Sequence, residues 1–155
     1  MKLLTPSKAE AAELLGGPAG FRGWAICAGA LPPASLLERA ITADGGDWLM
    51  PRLFVDEAAG RIVGSGGFKS VPRENKVELG YNVSPDCRGR GHATQGVRLL
   101  CAEAFSSGLV NEVLGETSLA NAASKRVLEK AGFTFCGSGK DDEGPVDLWR
   151  KQKDR

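Results

Sequence analysis

Arg88-Gly89-Arg90-Gly91-His92-Ala93 lies between an alternating segment, Lys76 to Val83, and a segment of helical period, Ala93 to Ser107. Two glycines one residue apart open backbone conformations closed to other residues, so the chain can turn sharply and aim several N–H groups at one anion. The positive end of the following helix adds to that field. Strand, glycine loop and helix in this order read as a seat for a diphosphate; the plainer alternative is a glycine turn that only caps a helix. A nucleotide-hydrolysing loop would continue with Lys and then Ser or Thr, where this chain has His92-Ala93. A dinucleotide-binding unit would carry three glycines and an acidic residue about twenty positions on, which this stretch lacks.

Working outward, Val77, Leu79, Tyr81 and Val83 share one strand face and Glu78, Gly80 and Asn82 the other. Trp48 to Val55 and Arg61 to Phe68 read as strands joined across Asp56 to Gly60, giving three neighbouring antiparallel strands. After the loop, Ala93, Val97, Leu100, Cys101, Ala104 and Phe105 form a helical stripe that leaves Thr94, Gln95, Arg98 and Glu103 outward, and Gly108 stops the helix. Glu112 to Glu116 is a short strand. Asn121 caps a helix that buries Ala123, Val127, Leu128 and Ala131 before Gly132 ends it. Thr134 to Gly137 and Val146 to Arg150 are final strands around a charged loop, Lys140 to Gly144, with a frayed tail from Lys151 to Arg155. At the other end, Lys2 to Leu4 is a short strand and Ser7 caps a helix to Leu15. Gly16 to Ser35 is irregular, and Ser35 caps a second helix through Leu36, Leu37, Ala40 and Ile41.

A chain of 155 residues with 42% hydrophobic and 25% charged residues suits one domain over 1–155 with one core. Twenty basic against nineteen acidic residues give no imbalance that would call for nucleic acid or an anionic membrane surface as partner. No apolar run has the length of a signal peptide or membrane span, so a soluble cytoplasmic protein is expected. Cys27, Cys87, Cys101 and Cys136 lack C-x-x-C spacing and His92 is the sole histidine, which argues against a metal site or a disulfide framework.

Arg88, Gly91 and Ala93 fill the pattern Arg or Gln, two residues, Gly, one residue, Gly or Ala, with Gly89 and Arg90 in the gap. About thirty residues on stands Asn121-Ala122-Ala123-Ser124-Lys125-Arg126-Val127-Leu128-Glu129-Lys130-Ala131-Gly132-Phe133. Together these segments resemble the GNAT superfamily of acyl-CoA-dependent N-acetyltransferases, and within it the branch of the ribosomal-protein N-terminal alanine acetyltransferases. The resemblance runs from Trp48 to Gly139. It implies a mixed α/β fold: a central, mostly antiparallel sheet splayed between the strand ending at Val83 and that ending at Thr117, with helices on both faces. It implies acetyl-CoA as cosubstrate; that no metal is expected follows from the scattered cysteines and the single histidine. The amides of Gly89, Arg90, Gly91, His92, Ala93 and Thr94 would hold the pyrophosphate, Arg88 and Arg90 would add charge, and the backbone of Tyr81, Asn82 and Val83 would line the pantetheine arm. Asn121 would bond that arm beyond its capping role, with Ser124 near the thioester. Many members carry an acid tyrosine seven residues after this Asn. Here the position is Leu128, which leaves Ser124 or water to protonate the departing thiolate.

An alkylammonium has no lone pair with which to attack a thioester, so a carboxylate near the acceptor must take its proton. Glu78, on the polar face of the strand beside the loop, is the first candidate base; its other reading is a salt-bridged strand carboxylate. Glu116 is the second. His92 points toward the phosphate end, and Tyr81 reads as core or cofactor wall. No Cys-His pair is available, so transfer is expected to be direct, and only an acetylated Cys87 would argue for a covalent route. The acceptor pocket is expected from Phe21, Trp24 and Trp48 together with Asp141, Asp142 and Glu143. The acceptor itself is a small-molecule amine or a peptide N-terminus. A non-catalytic acyl-CoA-binding regulatory module is the rival reading, and a homodimer is compatible with either.

Overall fold

Alternation along the chain resolves into a nine-stranded sheet in the computed structural model, which describes residues 1–154. Its main path runs β1 (Lys2–Leu4), β4 (Arg52–Asp56), β5 (Arg61–Phe68), β6 (Lys76–Val83), β7 (Glu112–Ser118), β9 (Gly144–Gln152) and β8 (Thr134–Asp141). The hairpin β2 (Gly20–Phe21) and β3 (Trp24–Ile26) attaches to the start of β5 through β3. All main-path pairs are antiparallel except β6 with β7.

Period-two burial sorts this sheet into two faces. Phe54 and Val63 pack with Val77, Leu79 and Val83 against α3 (His92–Ser106) and α4 (Ala122–Lys130). Leu53, Val55 and Ile62 face α1 (Lys8–Leu14) and α2 (Ala34–Thr42). Helices therefore cover both faces, as the resemblance implies. Val97, Leu100, Cys101 and Ala104 bury the stripe of α3, each large side chain contributing roughly 1.5–3 kcal/mol. α3 lies so close to the sheet that a Cβ at Gly96 would sit 2.4 Å from Phe54 Cε2. Arg52, 3% exposed, is tied to Glu103 of α3 at 2.7 Å and stacks over Phe68.

Several expected boundaries move. Gly16 to Ser35 is not wholly irregular: Arg22 and Gly23, with φ of 49° and 83°, make a two-residue turn between β2 and β3. Glu10 holds Arg22 there through bonds of 2.8 and 2.6 Å while also closing a capping box with Ser7. Pro33, not Ser35, stands at the N-cap of α2, and no side chain caps it. Trp48 lies in a 3-10 turn and its strand begins only at Arg52, because Met50 N–H turns back to Asp47 O and Pro51 has no N–H to give. Thr94 is buried rather than outward, since it shares the stripe of Val97 and Cys101. β7 runs on to Ser118, where Thr117 Oγ1 accepts from Trp149 Nε1 at 2.8 Å. The charged loop shrinks to Asp142-Glu143, because β8 and β9 pair out to Asp141 and Gly144. Lys151 and Gln152 are strand rather than tail, Lys151 Nζ donating to Ala131 O at 2.7 Å; Arg155 lies outside the described residues. No helix among the described residues is long and apolar enough to cross a membrane.

Candidate active site

β6 and β7 pair only at Lys76, Val77 and Glu78, opposite Glu112, Val113 and Leu114. Beyond Glu78 the strands part, while β6 stays paired with β5 as far as Val83. The β7-facing edge of Gly80 to Val83 thus has no strand partner, and a cleft opens on each side of it.

On the α3 side lies a cleft of about 460 Å³. The turn Pro85–Cys87 brings the chain to Gly89 and Gly91, at φ of 77° and 82°, and a Cβ built on either would meet nothing within 4 Å. Gly91 is the N-cap of α3 and no side chain caps that helix, so its first-turn amides have no partner of their own. A concave turn, free amides, a helix dipole and open space above them fit the diphosphate of coenzyme A. Tyr81, Asn82, Val83, Arg88, Gly89, Gly91, His92, Ala93 and Thr94 all line this cleft, facing Asn121 and Ser124 of the α4 start. Arg90 is exposed and does not line it. Arg88 is exposed as well, with Nε 3.3 Å from Val83 O.

Asn121 caps α4, its Oδ1 accepting from Ser124 N at 3.1 Å. Ser124 O receives a long bond of 3.4 Å from the Tyr81 hydroxyl, and Ser124 lines the cleft. Burial raises the Tyr81 phenol above its ordinary value, so it stays protonated. The His92 imidazole is spent on structure: Nδ1 lies 3.1 Å from Cys87 O and Nε2 3.1 Å from Asp56 Oδ2. Cys87 Sγ meets Cys27 Sγ at 3.6 Å rather than the imidazole. Leu128 is buried in the core behind the cleft. Arg126 and Lys130 also line the cleft and were not anticipated; Ala123, Val127 and Lys130 follow at helical spacing, a stripe legible once α4 is placed.

On the α2 side lies a second cleft, about 630 Å³, sharing Tyr81 and Asn82 with the first. Its floor is the cross-strand pair Gly67 and Gly80, its walls Leu31, Pro32, Pro33, Leu36 and Leu49. Asn82 fastens the roof: its Oδ1 accepts from Ser65 Oγ at 2.9 Å and its Nδ2 donates to Gly29 O at 2.9 Å. Ser84 Oγ donates to Ala28 O at 2.6 Å beside it. The expected aromatic lining is absent. Phe21 belongs to the core, Trp24 lies under Lys2, and Trp48 meets Phe68 edge-on. Asp141, Asp142 and Glu143 do not line the cleft either, since strand pairing draws Asp141 into β8.

Glu78 lines neither cleft but forms an ion pair with Lys69, which lines the second. Glu116 follows Leu114 by two residues on the same face of β7, so it stands across the parted strands from Gly80. Burial, and then the charge of Glu78, raise the Glu116 carboxyl above its ordinary value, with Lys69 opposing.

Known proteins share the family and the fold. Residues 6–134 match the model of the acetyltransferase (GNAT) domain. An FsC-acetyl coenzyme A-N(2)-transacetylase of Aspergillus fumigatus is 35% identical over 89 residues, 52% of this chain, and the match spans only 38% of that protein's length. Among solved structures, the ribosomal-protein-S5-alanine acetyltransferase of Vibrio fischeri superposes with a TM-score of 0.72 at 15% identity, covering 98% of this chain and 92% of that one. The aminoglycoside acetyltransferase AAC(6')-Ib, in complex with coenzyme A and kanamycin, gives 0.70 at 17% identity, covering 98% and 94%. A parted sheet with an uncapped glycine loop on one side, in a chain of which residues 6–134 fit that family's model, has one reading: this chain belongs to the GNAT acetyltransferase family.

Proposed function

We propose that the chain transfers an acetyl group from acetyl-CoA directly to a primary amine, carried by a small molecule or a peptide N-terminus. The observation that carries this reading is the meeting of two clefts at Tyr81 and Asn82, where strands β6 and β7 part. One cleft suits a diphosphate; the other gives an amine access to the same strand edge. When bound, acetyl-CoA supplies the thioester. The loop amides of residues 89 to 94, with Arg88 at the rim, fix its phosphates, and Tyr81 to Val83 with Asn121 guide its arm.

Proton traffic falls to side chains on the other face. Glu78 and Glu116 share the field of Lys69, and the acceptor ammonium gives its proton to this pair. Glu116 is the better base of the two, because Glu78 is held by an ammonium while burial lifts Glu116. The new C–N bond forms as the C–S bond breaks, and the second N–H proton of the attacking amine passes through the Ser124 hydroxyl, at the start of α4, or through water, to the thiolate, so that Ser124 gains one proton as it gives one.

One observation favours the rival, a non-catalytic acyl-CoA-binding module: the place of the family's acid tyrosine is taken by buried Leu128. Calorimetry with coenzyme A and acetyl-CoA, followed by thiol release across peptides, polyamines, aminoglycosides and amino acids, separates the readings. We expect binding of both nucleotides and amine-dependent thiol release. Binding without release from any amine supports the module, and absence of binding overturns both.

A further inference from the structure

Charge on the α2-side cleft is one-signed. The only charged side chains lining it, among the described residues, are Arg39 of α2 and Lys69 after β5; no carboxylate lines it. Most of the remaining wall is leucine, proline and phenylalanine over the bare Gly67–Gly80 floor, with Ser65, Tyr81 and Asn82 along the strand edge. A polyamine or aminoglycoside would have to bring several ammonium groups into apolar surroundings lined by the unpaired Arg39 and no carboxylate, which costs both desolvation and repulsion.

The two cations differ in what they have left to offer. Lys69 is neutralised by Glu78. Arg39 is exposed, lends one N–H of its Nη2 to the Lys69 carbonyl, and has no carboxylate within ion-pair distance among the described residues. That backbone bond pins the guanidinium at the cleft wall while its remaining donors stay open. A planar guanidinium in this state is a ready partner for a carboxylate. Lys69 therefore divides the charge of the site: its carbonyl holds the guanidinium, and its ammonium meets Glu78, beside Glu116 at the parted strands. A ligand laid along this axis would turn its amine toward the end where Lys69 meets Glu78, with Glu116 beyond the lining across the parted strands, and its opposite end toward Arg39.

We infer that the acceptor is a primary amine with an apolar body and a carboxylate of its own, the amine facing the parted strands and the carboxylate paired with Arg39. The inference rests on the acetyltransferase reading for the site's purpose, and its test separates the two. Binding is measured by calorimetry on the full chain saturated with coenzyme A, which cannot react. The probes are leucine, phenylalanine, tryptophan and 6-aminohexanoate, the corresponding amides, spermidine and kanamycin; thiol release from acetyl-CoA is measured in parallel.

The expected result is about tenfold tighter binding of at least one acid than of its amide, with spermidine and kanamycin weakest. In Arg39→Met that ratio falls toward one, and in Arg39→Glu it inverts, while circular dichroism and coenzyme A affinity certify the fold of each variant. Amides or polycations binding as well as the acids, or an acid-to-amide ratio untouched by either substitution, would overturn the inference even if thiol were released. Acid-selective binding with no thiol release from any amine would instead uphold the ligand class and sink the transferase reading.

Discussion

On the α3 side of β6 the decisive groups are main chain: glycines at positive φ, uncapped amides and an unpaired strand edge. On the α2 side they are side chains, brought from residues 29–36, 39, 49–51, 65–69 and 80–82 to enclose one apolar cleft. Main-chain recognition is rigid and tolerant of which side chains surround it; side-chain recognition is selective and can be altered one residue at a time. On the proposed reading, the difference would let a common donor and a particular acceptor be served by two sides of one strand.

The contrast is open to attack at four points. The largest expected effect is at Gly91. A valine there must hold φ near 82°, a strain of about 1–2 kcal/mol, and raises a branched side chain beneath the phosphates. Coenzyme A affinity should fall by about 100-fold by calorimetry, with the circular dichroism spectrum retained. Next comes the proton acceptor: Glu116→Gln should cost about 100-fold in kcat at neutral pH with little change in coenzyme A binding. The pH profile sharpens this. A base works only when deprotonated, so its raised pKa puts the acid-side loss of activity above the usual carboxylate range. Glu78→Gln removes the like charge and frees Lys69; both lower the pKa of Glu116, so the acid limb should move to lower pH. A limb that does not move takes Glu116 out of the role.

Third, Gly67→Val adds a side chain to the floor of the second cleft, where a Cβ would stand a comfortable 3.7 Å from Met50 O and Pro51 Cα. Acceptor KM should rise by about tenfold while coenzyme A affinity holds, since the lost area is apolar and local. Smallest should be Arg88→Ala and Arg90→Ala, exposed charges worth at most about 1 kcal/mol each. If either variant weakens coenzyme A as much as Gly91→Val, the phosphates are held by side chains and the contrast fails.

The same division decided what could be read from the amino acids alone. A positive φ asks for glycine and a helix start asks for a capping oxygen, so Gly89, Gly91 and Asn121 carried local marks of their conformation. Asn82 was expected at the cofactor strand, but its clasp on Gly29 spans 53 residues and has no local signature. Phe21, Trp24 and Trp48 attracted notice as aromatics near an irregular segment, yet their burial and ring contacts are tertiary facts. The Arg22-Gly23 hairpin was hidden because a run rich in glycine and proline already read as irregular, and the ion pair that holds Arg22 comes from Glu10. Likewise the pairing of Glu78 with Lys69 depends on where β5 ends, not on any spacing that marks a base.

The bare floor formed by Gly67 and Gly80 has a further bearing. Because the floor of the second cleft is peptide backbone, its shape is set by its walls, and the stretch 29–36 supplies Leu31, Pro32, Pro33 and Leu36 of them in one continuous run. Re-cutting that one short ribbon would retune which amines are admitted without disturbing the machinery that carries the acyl group, a natural handle for engineering and for divergence alike.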